Sequence, residues 1–293
     1  MEPGIFFSLV AAVIWGVFLF SLKRYFDGVH AAVVVVLVNG FAIALYLPYA
    51  VLTLDSAEIP AAASFSPQDI GVLVLTIALV ALAFVLFMRA LNAGEVSYVA
   101  PINKIVPVFV LPIEVLLLGQ HLTALQVSGV VVATIAIYVA NYERGPLLAP
   151  IRRAATSVPA QFALLSAMCY AASDVGKRVA LQEFALPPQI WVPLLQGGVL
   201  VFLLPLAYRH WPDEDPWTGR LPLYVAMGLI VAVAEHVTSL AFAVAPASIA
   251  SPIVNTQAIV AVILGGVLLD ESALRTRLVA AVLAVIGVAL IAT

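Results

Sequence analysis

From Ile70 to Met88 the chain carries no ionisable residue, and Thr76 is the sole polar side chain in that run. A helix needs roughly 20 apolar residues to cross the ~30 Å hydrocarbon core of a bilayer. In lipid every spanning segment must satisfy its own backbone hydrogen bonds, which leaves helices or closed barrels. A barrel strand would alternate apolar and polar residues over about 10 positions, whereas this run is continuously apolar. Comparable runs recur along the chain and predict ten spans: 5–22, 31–52, 70–91, 98–118, 124–142, 160–180, 188–208, 221–243, 249–269 and 275–292. Turn-forming pairs separate them, among them Asp27-Gly28, Ala93-Gly94, Gly145-Pro146, Pro187-Pro188 and Pro212-Asp213.

Composition closes off the other classes. Charged residues make up 10% of the 293 residues and hydrophobic ones 64%, where a soluble domain carries about 25% charged. That is too little polar side chain to coat a water-exposed surface. The net charge of -3 includes no basic stripe, so nucleic acid is not an expected partner. Cys169 stands alone, and His30, His121, His210 and His236 are scattered without ligand spacing. No metal or other cofactor is expected. No Gly-x-x-x-x-Gly-Lys-Ser/Thr segment occurs, which argues against ATP hydrolysis. The residues before the first apolar run lack a basic segment, so that run is expected to be a retained helix rather than a cleaved signal.

The chain also repeats itself. Phe7, Leu9, Ala12 and Trp15 correspond to Phe162, Leu164, Ala167 and Tyr170. Asn39-Gly40 with Leu47-Pro48 corresponds to Gln196-Gly197 with Leu204-Pro205, and Ser97-x-x-x-Pro101-Ile102 to Ser248-x-x-x-Pro252-Ile253. Three matches in one order, each with a polar or Pro/Gly landmark, favour duplication over chance. The expected organisation is a five-helix repeat over 1–145, a linker over 146–158 and a second five-helix repeat over 159–293. With an odd number of spans, the second copy enters the membrane upside down. The expected fold class is therefore an all-α membrane protein of ten transmembrane helices in two inverted repeats.

These features resemble the drug/metabolite transporter superfamily, and within it the ten-helix EamA-type transporters. The resemblance rests on the five-plus-five duplication, Trp15-Gly16 with Tyr170-Ala171 at its repeat position, and the Ser-x-x-x-Pro starts of the fourth and ninth spans. The Leu269-Asp270-Glu271 turn before the tenth span belongs to it too. Gly119-Gln120-His121 departs from it, because an acidic residue is common at that turn. The resemblance implies a carrier of small organic solutes, in a bacterial cytoplasmic (inner) membrane, with both termini inside. The distribution of Lys and Arg points the other way. Lys23, Arg24, Arg89, Arg144, Arg152, Arg153, Arg209, Arg220, Arg275 and Arg277 flank the odd-numbered loops, against Lys177 and Arg178 for the even-numbered ones. By the positive-inside rule the termini then face away from the cytoplasm.

Polar groups at bilayer depth are costly and mark functional candidates. Glu235 sits near the middle of the eighth span, with His236 beside it and Thr238 and Ser239 on the Glu235 face. Glu235 is the first candidate for taking up a coupling proton, and Glu114 the second. Asn103, Lys104 and Glu114 on the fourth span, and Asn255 and Gln257 on the ninth, are candidates for the polar walls of a central site. Counted along a continuous helix, Asn103 and Glu114 share a face. Trp15 and Tyr170 offer aromatic surface, and Asn39 and Gln196 are repeat-related amides. The competing account of each is packing alone, since bundles also bury polar groups against one another. Trp191, close to a span's end, is expected as an interfacial anchor, and Asp174 as the intrahelical partner of Lys177 and Arg178. Small-residue seams, Gly129, Ala133, Ala136 and Ala140 with Ala280, Ala284 and Gly287, are expected to pack helices together.

The expected function is secondary active transport of a small organic metabolite by alternating access, with an amino acid or related compound the first guess. The partners are the substrate, the bilayer and a candidate coupling proton, and the chain is expected as a monomer or weak homodimer. A proton-coupled multidrug exporter is the alternative. A membrane-embedded enzyme would need converging catalytic groups, and Glu235-His236 alone is thin support, so no enzymatic activity is expected.

Overall fold

The computed structural model describes residues 2–26, 28–55, 59–60, 65–93, 102–140, 157–268 and 274–291. Among them there is no β-strand. The helices are α1 (Pro3–Tyr25), α2 (Ala31–Thr53), α3 (Pro67–Ala93), α4 (Val106–Leu118), α5 (Ala124–Ala140), α6 (Val158–Arg178), α7 (Pro188–Arg209), α8 (Leu221–Val244), α9 (Ala247–Asn255), α10 (Gln257–Leu268) and α11 (Leu274–Ile291). Among the described residues six segments are long and apolar enough to cross a membrane: Pro3–Leu22, Ala31–Thr53, Pro67–Ala93, Pro188–Arg209, Leu221–Val244 and Ala247–Gly265. Val106–Leu118 and Ala124–Ala136 are shorter apolar helices. Large apolar side chains such as Leu52, Leu116, Val201 and Val285 are exposed on the outside of the bundle, as a protein solvated by hydrocarbon requires.

Helix ends follow local chemistry. Proline stands at the first turn of α1, α6, α7 and α8, where its missing N–H costs nothing. His30 caps α2, its side chain accepting from the Ala32 N–H. Gly119 closes α4 at φ 63°, a left-handed conformation that suits glycine. The end of α6 loosens into a π-helical turn, Val179–Glu183.

Two predicted spans are not continuous helices. In the fourth, Ile102 and Asn103 are helical, Lys104 and Ile105 form a turn, and α4 begins at Val106. Pro107 therefore starts a helix instead of interrupting one. The ninth span breaks at Thr256, between α9 and α10. One shift of 151 residues carries Ser97 to Ser248, Lys104 to Asn255 and Val106 to Gln257. Both spans thus break, and their second halves begin, at corresponding places. Ser97, Pro101 and the Leu269-Asp270-Glu271 turn lie outside the described residues.

Helix pairing has the same correspondence. α1 packs on α8 and α6 on α3, α2 packs on α7, and α5 on α11. Where α2 crosses α7, a Cβ on Gly40 would meet Leu200 at 3.9 Å and one on Gly197 would meet Ile43 at 3.9 Å. The 157-residue shift that takes Gly40 to Gly197 also takes Ile43 to Leu200. Likewise Gly129 abuts Ile291 while Gly287 abuts Ala133, and a shift of 158 relates those two contacts. In each pair of contacts residue i meets j, and the equivalent of j meets the equivalent of i. The glycine seam on α5 and α11 acts as expected: a Cβ on Gly129 would stand 2.7 Å from the Gly287 carbonyl oxygen. The side chains of Ala140, Ala280 and Ala284 are outside the described set.

Trp191 differs from its expected role as an anchor. It is fully buried in the core with Leu195, Leu203 and Phe242, because its position on α7 faces the neighbouring helices.

Candidate substrate cavity

A cavity of about 480 Å³ lies between the helices, with α1, α2, α3, the α4 start, α6, α7, α8 and the α9–α10 break all contributing. That volume suits a small organic molecule. Asp174, Lys177 and Phe242 line it, as do Leu22, Phe26 and Val29 from the segment joining α1 to α2. Most of its wall is apolar, with the aromatic rings of Trp15, Phe84, Phe87, Tyr170 and Phe242.

Of the sequence-derived candidates, Trp15, Asn39, Asn103, Lys104, Tyr170, Gln196, Asn255 and Gln257 all line this cavity. Trp15 Nε1 donates to Thr238 Oγ1 at 3.0 Å, joining α1 to α8. Asn103 Nδ2 donates to Ser166 Oγ at 2.8 Å, and that hydroxyl donates to the Ala83 carbonyl at 2.7 Å. Asn103 thereby ties the start of the fourth span to α6 and α3. Asn255 Nδ2 donates to the Ser251 carbonyl at 2.9 Å, and Ser251 Oγ donates to Asp174 Oδ2 at 2.6 Å. Gln196 is only 4% exposed, yet neither its Nε2 nor its Oε1 has a partner among the described residues.

Glu235 and His236 do not line the cavity, and adjacent helical residues diverge by about 100°. Glu235 is buried behind the cavity wall, its Oε1 3.3 Å from Lys177 Nζ. His236 turns to α2, where its Nδ1 shares a 2.7 Å hydrogen bond with the Tyr46 hydroxyl and its Nε2 approaches the Tyr49 hydroxyl at 3.4 Å.

Glu114 also stands apart. Its carboxylate accepts the backbone N–H groups of Ala247 and Ser248, each at 2.7 Å, and the Ser248 hydroxyl. Arg178 Nε lies 3.3 Å away. Glu114 thus caps α9 from another helix, a stabilising place for negative charge. Arg178 Nε donates in turn to Gln182 Oε1 at 3.0 Å, and Gln182 Nε2 donates to the Phe242 and Ala245 carbonyls. The group knits α4, α6, α8 and α9 together at one end of the cavity. Asn103 and Glu114 serve different places because the turn at Lys104–Ile105 breaks the phase that a continuous helix would hold.

Sequence reasoning understated α6. Asp174 and Lys177 face the cavity, and the ion pair of Lys177 runs to Glu235 on α8. The signal was available in the crowding of Ser166, Ser173, Asp174, Lys177 and Arg178 onto one span, which makes α6 the least apolar of the long helices. Thr238 was noted only as a neighbour of Glu235.

The EamA-like transporter family model matches residues 2–142 and 159–293. The chain belongs to the EamA-like transporter family. It is thus an integral membrane transporter, and the family match falls in two blocks separated by residues 143–158. This EamA-like transporter also resembles the solved crystal structure of another protein, with a TM-score of 0.79 and 14% identity. The similarity covers 99% of this chain and 98% of the other, and shows the fold alone. No curated protein matches the EamA-like chain.

Proposed function

We propose that this EamA-like transporter is a secondary active carrier of a small organic metabolite, working by alternating access in a bacterial inner membrane. Ten spans, arranged as two inverted repeats over 1–145 and 159–293 with a linker over 146–158, rock about a site between them. The reciprocal Gly40–Leu200 and Gly197–Ile43 contacts and the paired breaks in the fourth and ninth spans support that arrangement. The observation that carries the reading is the 480 Å³ cavity between the proposed repeats, walled by rings and holding a buried amide with no protein partner. A buried polar group left unsatisfied is costly, and a bound solute removes that cost.

The substrate is held by Trp15, Asn39, Asn103, Lys104, Tyr170, Gln196, Asn255 and Gln257, and an amino acid or relative is the first class to test. Glu235, ion-paired with Lys177 beside the cavity, is the group through which a proton would be coupled. Glu114 is better suited to holding α9, since its carboxylate is already engaged by two backbone N–H groups. Counterflow in proteoliposomes with a panel of labelled metabolites tests the reading. Saturable exchange is expected, and product formation or unsaturable flux would overturn it.

A further inference from the structure

Two half-helices begin at the cavity. Val106, the first residue of α4, and Gln257, the first residue of α10, both line it. The N-terminal end of a helix carries a partial positive charge and N–H groups with no partner inside the helix. Here the Val108 and Ile259 N–H groups donate to the Ile105 and Thr256 carbonyls and Pro107 has none, which leaves Val106 on α4 and Gln257 and Ala258 on α10. α4 and α10 are 13 and 12 residues long, enough for that end effect.

Beside the α4 start stands Lys104, whose ammonium has no ion pair among the described residues. The other charges that line the wall are engaged. Lys177 faces Glu235 at 3.3 Å, and Asp174 accepts from Ser251 at 2.6 Å. Counting Lys104, Lys177, Asp174 and Glu235, the charges balance formally, but among the described residues the one left without a partner is positive. Across the same cavity Gln196 offers an amide NH2 and a carbonyl oxygen, both buried and unpaired among the described residues.

We propose that the cargo carries an anionic group, a carboxylate or a similar oxyanion, held by Lys104 between the N-terminal ends of α4 and α10. Gln196 reads a second polar edge of the same molecule, and its apolar body lies against Trp15, Phe84 and Tyr170. Helix ends favour anions through both dipole and N–H groups, and discontinuous helices at mid-membrane present such ends to a bound solute. This rests on the carrier reading for its biological use, but as a binding site it stands or falls separately.

The test uses three probes of one size: phenylacetate, phenylacetamide and phenethylamine, which are anionic, neutral and cationic. Each is titrated calorimetrically against the full chain in nanodiscs. Phenylacetate is expected to bind at least about tenfold more tightly than phenethylamine. Lys104→Gln is expected to bring that ratio to about twofold or less, and Lys104→Arg to retain it, because the charge is kept. The melting temperatures of both variants identify any that fails to fold, and the ratio of probe affinities in the unaltered chain is read regardless. A preference for the amine or the amide, equal binding, no binding by phenylacetate, or an anion preference untouched in Lys104→Gln would each overturn the proposal. Absent counterflow with the anion preference intact would instead overturn the carrier reading and leave the site standing.

Discussion

Lys177 Nζ on α6 lies 3.3 Å from Glu235 Oε1 on α8, behind the wall of the cavity. Both groups are nearly buried, so little water screens the pair. Removing one member of a buried pair strands the other, at about 3–5 kcal/mol, whereas replacing both by apolar residues is often neutral. Glu235→Gln is therefore expected to lower the melting temperature more than the double variant Lys177→Met, Glu235→Leu. If Glu235 also carries the coupling proton, the pH dependence of transport disappears in Glu235→Gln. A pH profile that is unchanged removes Glu235 from the coupling step.

Glu114 holds α9 through charge-assisted hydrogen bonds, the kind worth about 1.5–3 kcal/mol each. Glu114→Gln keeps the shape but loses the charge opposite Arg178 and one acceptor. The expected result is a clear drop in thermal stability, read in detergent, together with faster hydrogen exchange at Ala247 and Ser248. Exchange that stays slow at those two amides would show that α9 is held by something else.

The glycines divide into two kinds. Gly129 and Gly287 have backbone atoms where a Cβ would go, at 2.7 Å and 2.6 Å. Gly287→Ala is expected to cost about 1–3 kcal/mol by forcing α5 from α11. Gly197→Ala meets only Ile43 at 3.9 Å, and is expected to be neutral or to stabilise by up to about 1 kcal/mol through helix propensity. Paired melting curves separate the two, and equal losses would contradict the packing.

His30, at the mouth of α2, stacks on His210 with ring centroids 3.9 Å apart and planes 9° from parallel. Burial, and then the neighbouring His210, push its pKa below the usual histidine value. The folded chain therefore takes up this proton less readily than the unfolded chain. Stability is complete above the ordinary value of about 6.5 and falls as pH drops through it. Protonation at Nδ1 would also cancel the cap on Ala32. Melting temperatures at about pH 7.5 and about pH 5.5 are expected to differ more in the unaltered chain than in His30→Gln. An unchanged difference would mean that other groups set the acid sensitivity.

Much of the site could be read from residue type, because a polar side chain amid lipid-soluble helices has few places to go. Residue type and depth singled out Lys104 and Gln257, correspondence between the repeats added Trp15, Asn39, Tyr170 and Gln196, and the cavity collects them. Which way each side chain turns was another matter. Glu235 and His236 are neighbours in sequence but serve different helices, and Glu114 shares a span with Asn103 yet caps α9. Their partners, Lys177, Tyr46 and Ser248, are distant in sequence, and no local pattern announces such pairings.

By itself the amino-acid sequence determined that this chain lives in lipid, that it is helical, and where most helices start and stop. Those outcomes depend on apolar run length, on proline and glycine, and on the need of each segment to satisfy its own backbone. Its repeated landmarks also marked corresponding positions. Only the tertiary structure decided that the fourth and ninth spans break beside the cavity, that Lys177 answers Glu235, and that the Gln196 amide is left unpaired. These depend on which helices touch, and between helices in lipid that choice is made by close packing and single polar contacts, which leave no periodic trace in the chain.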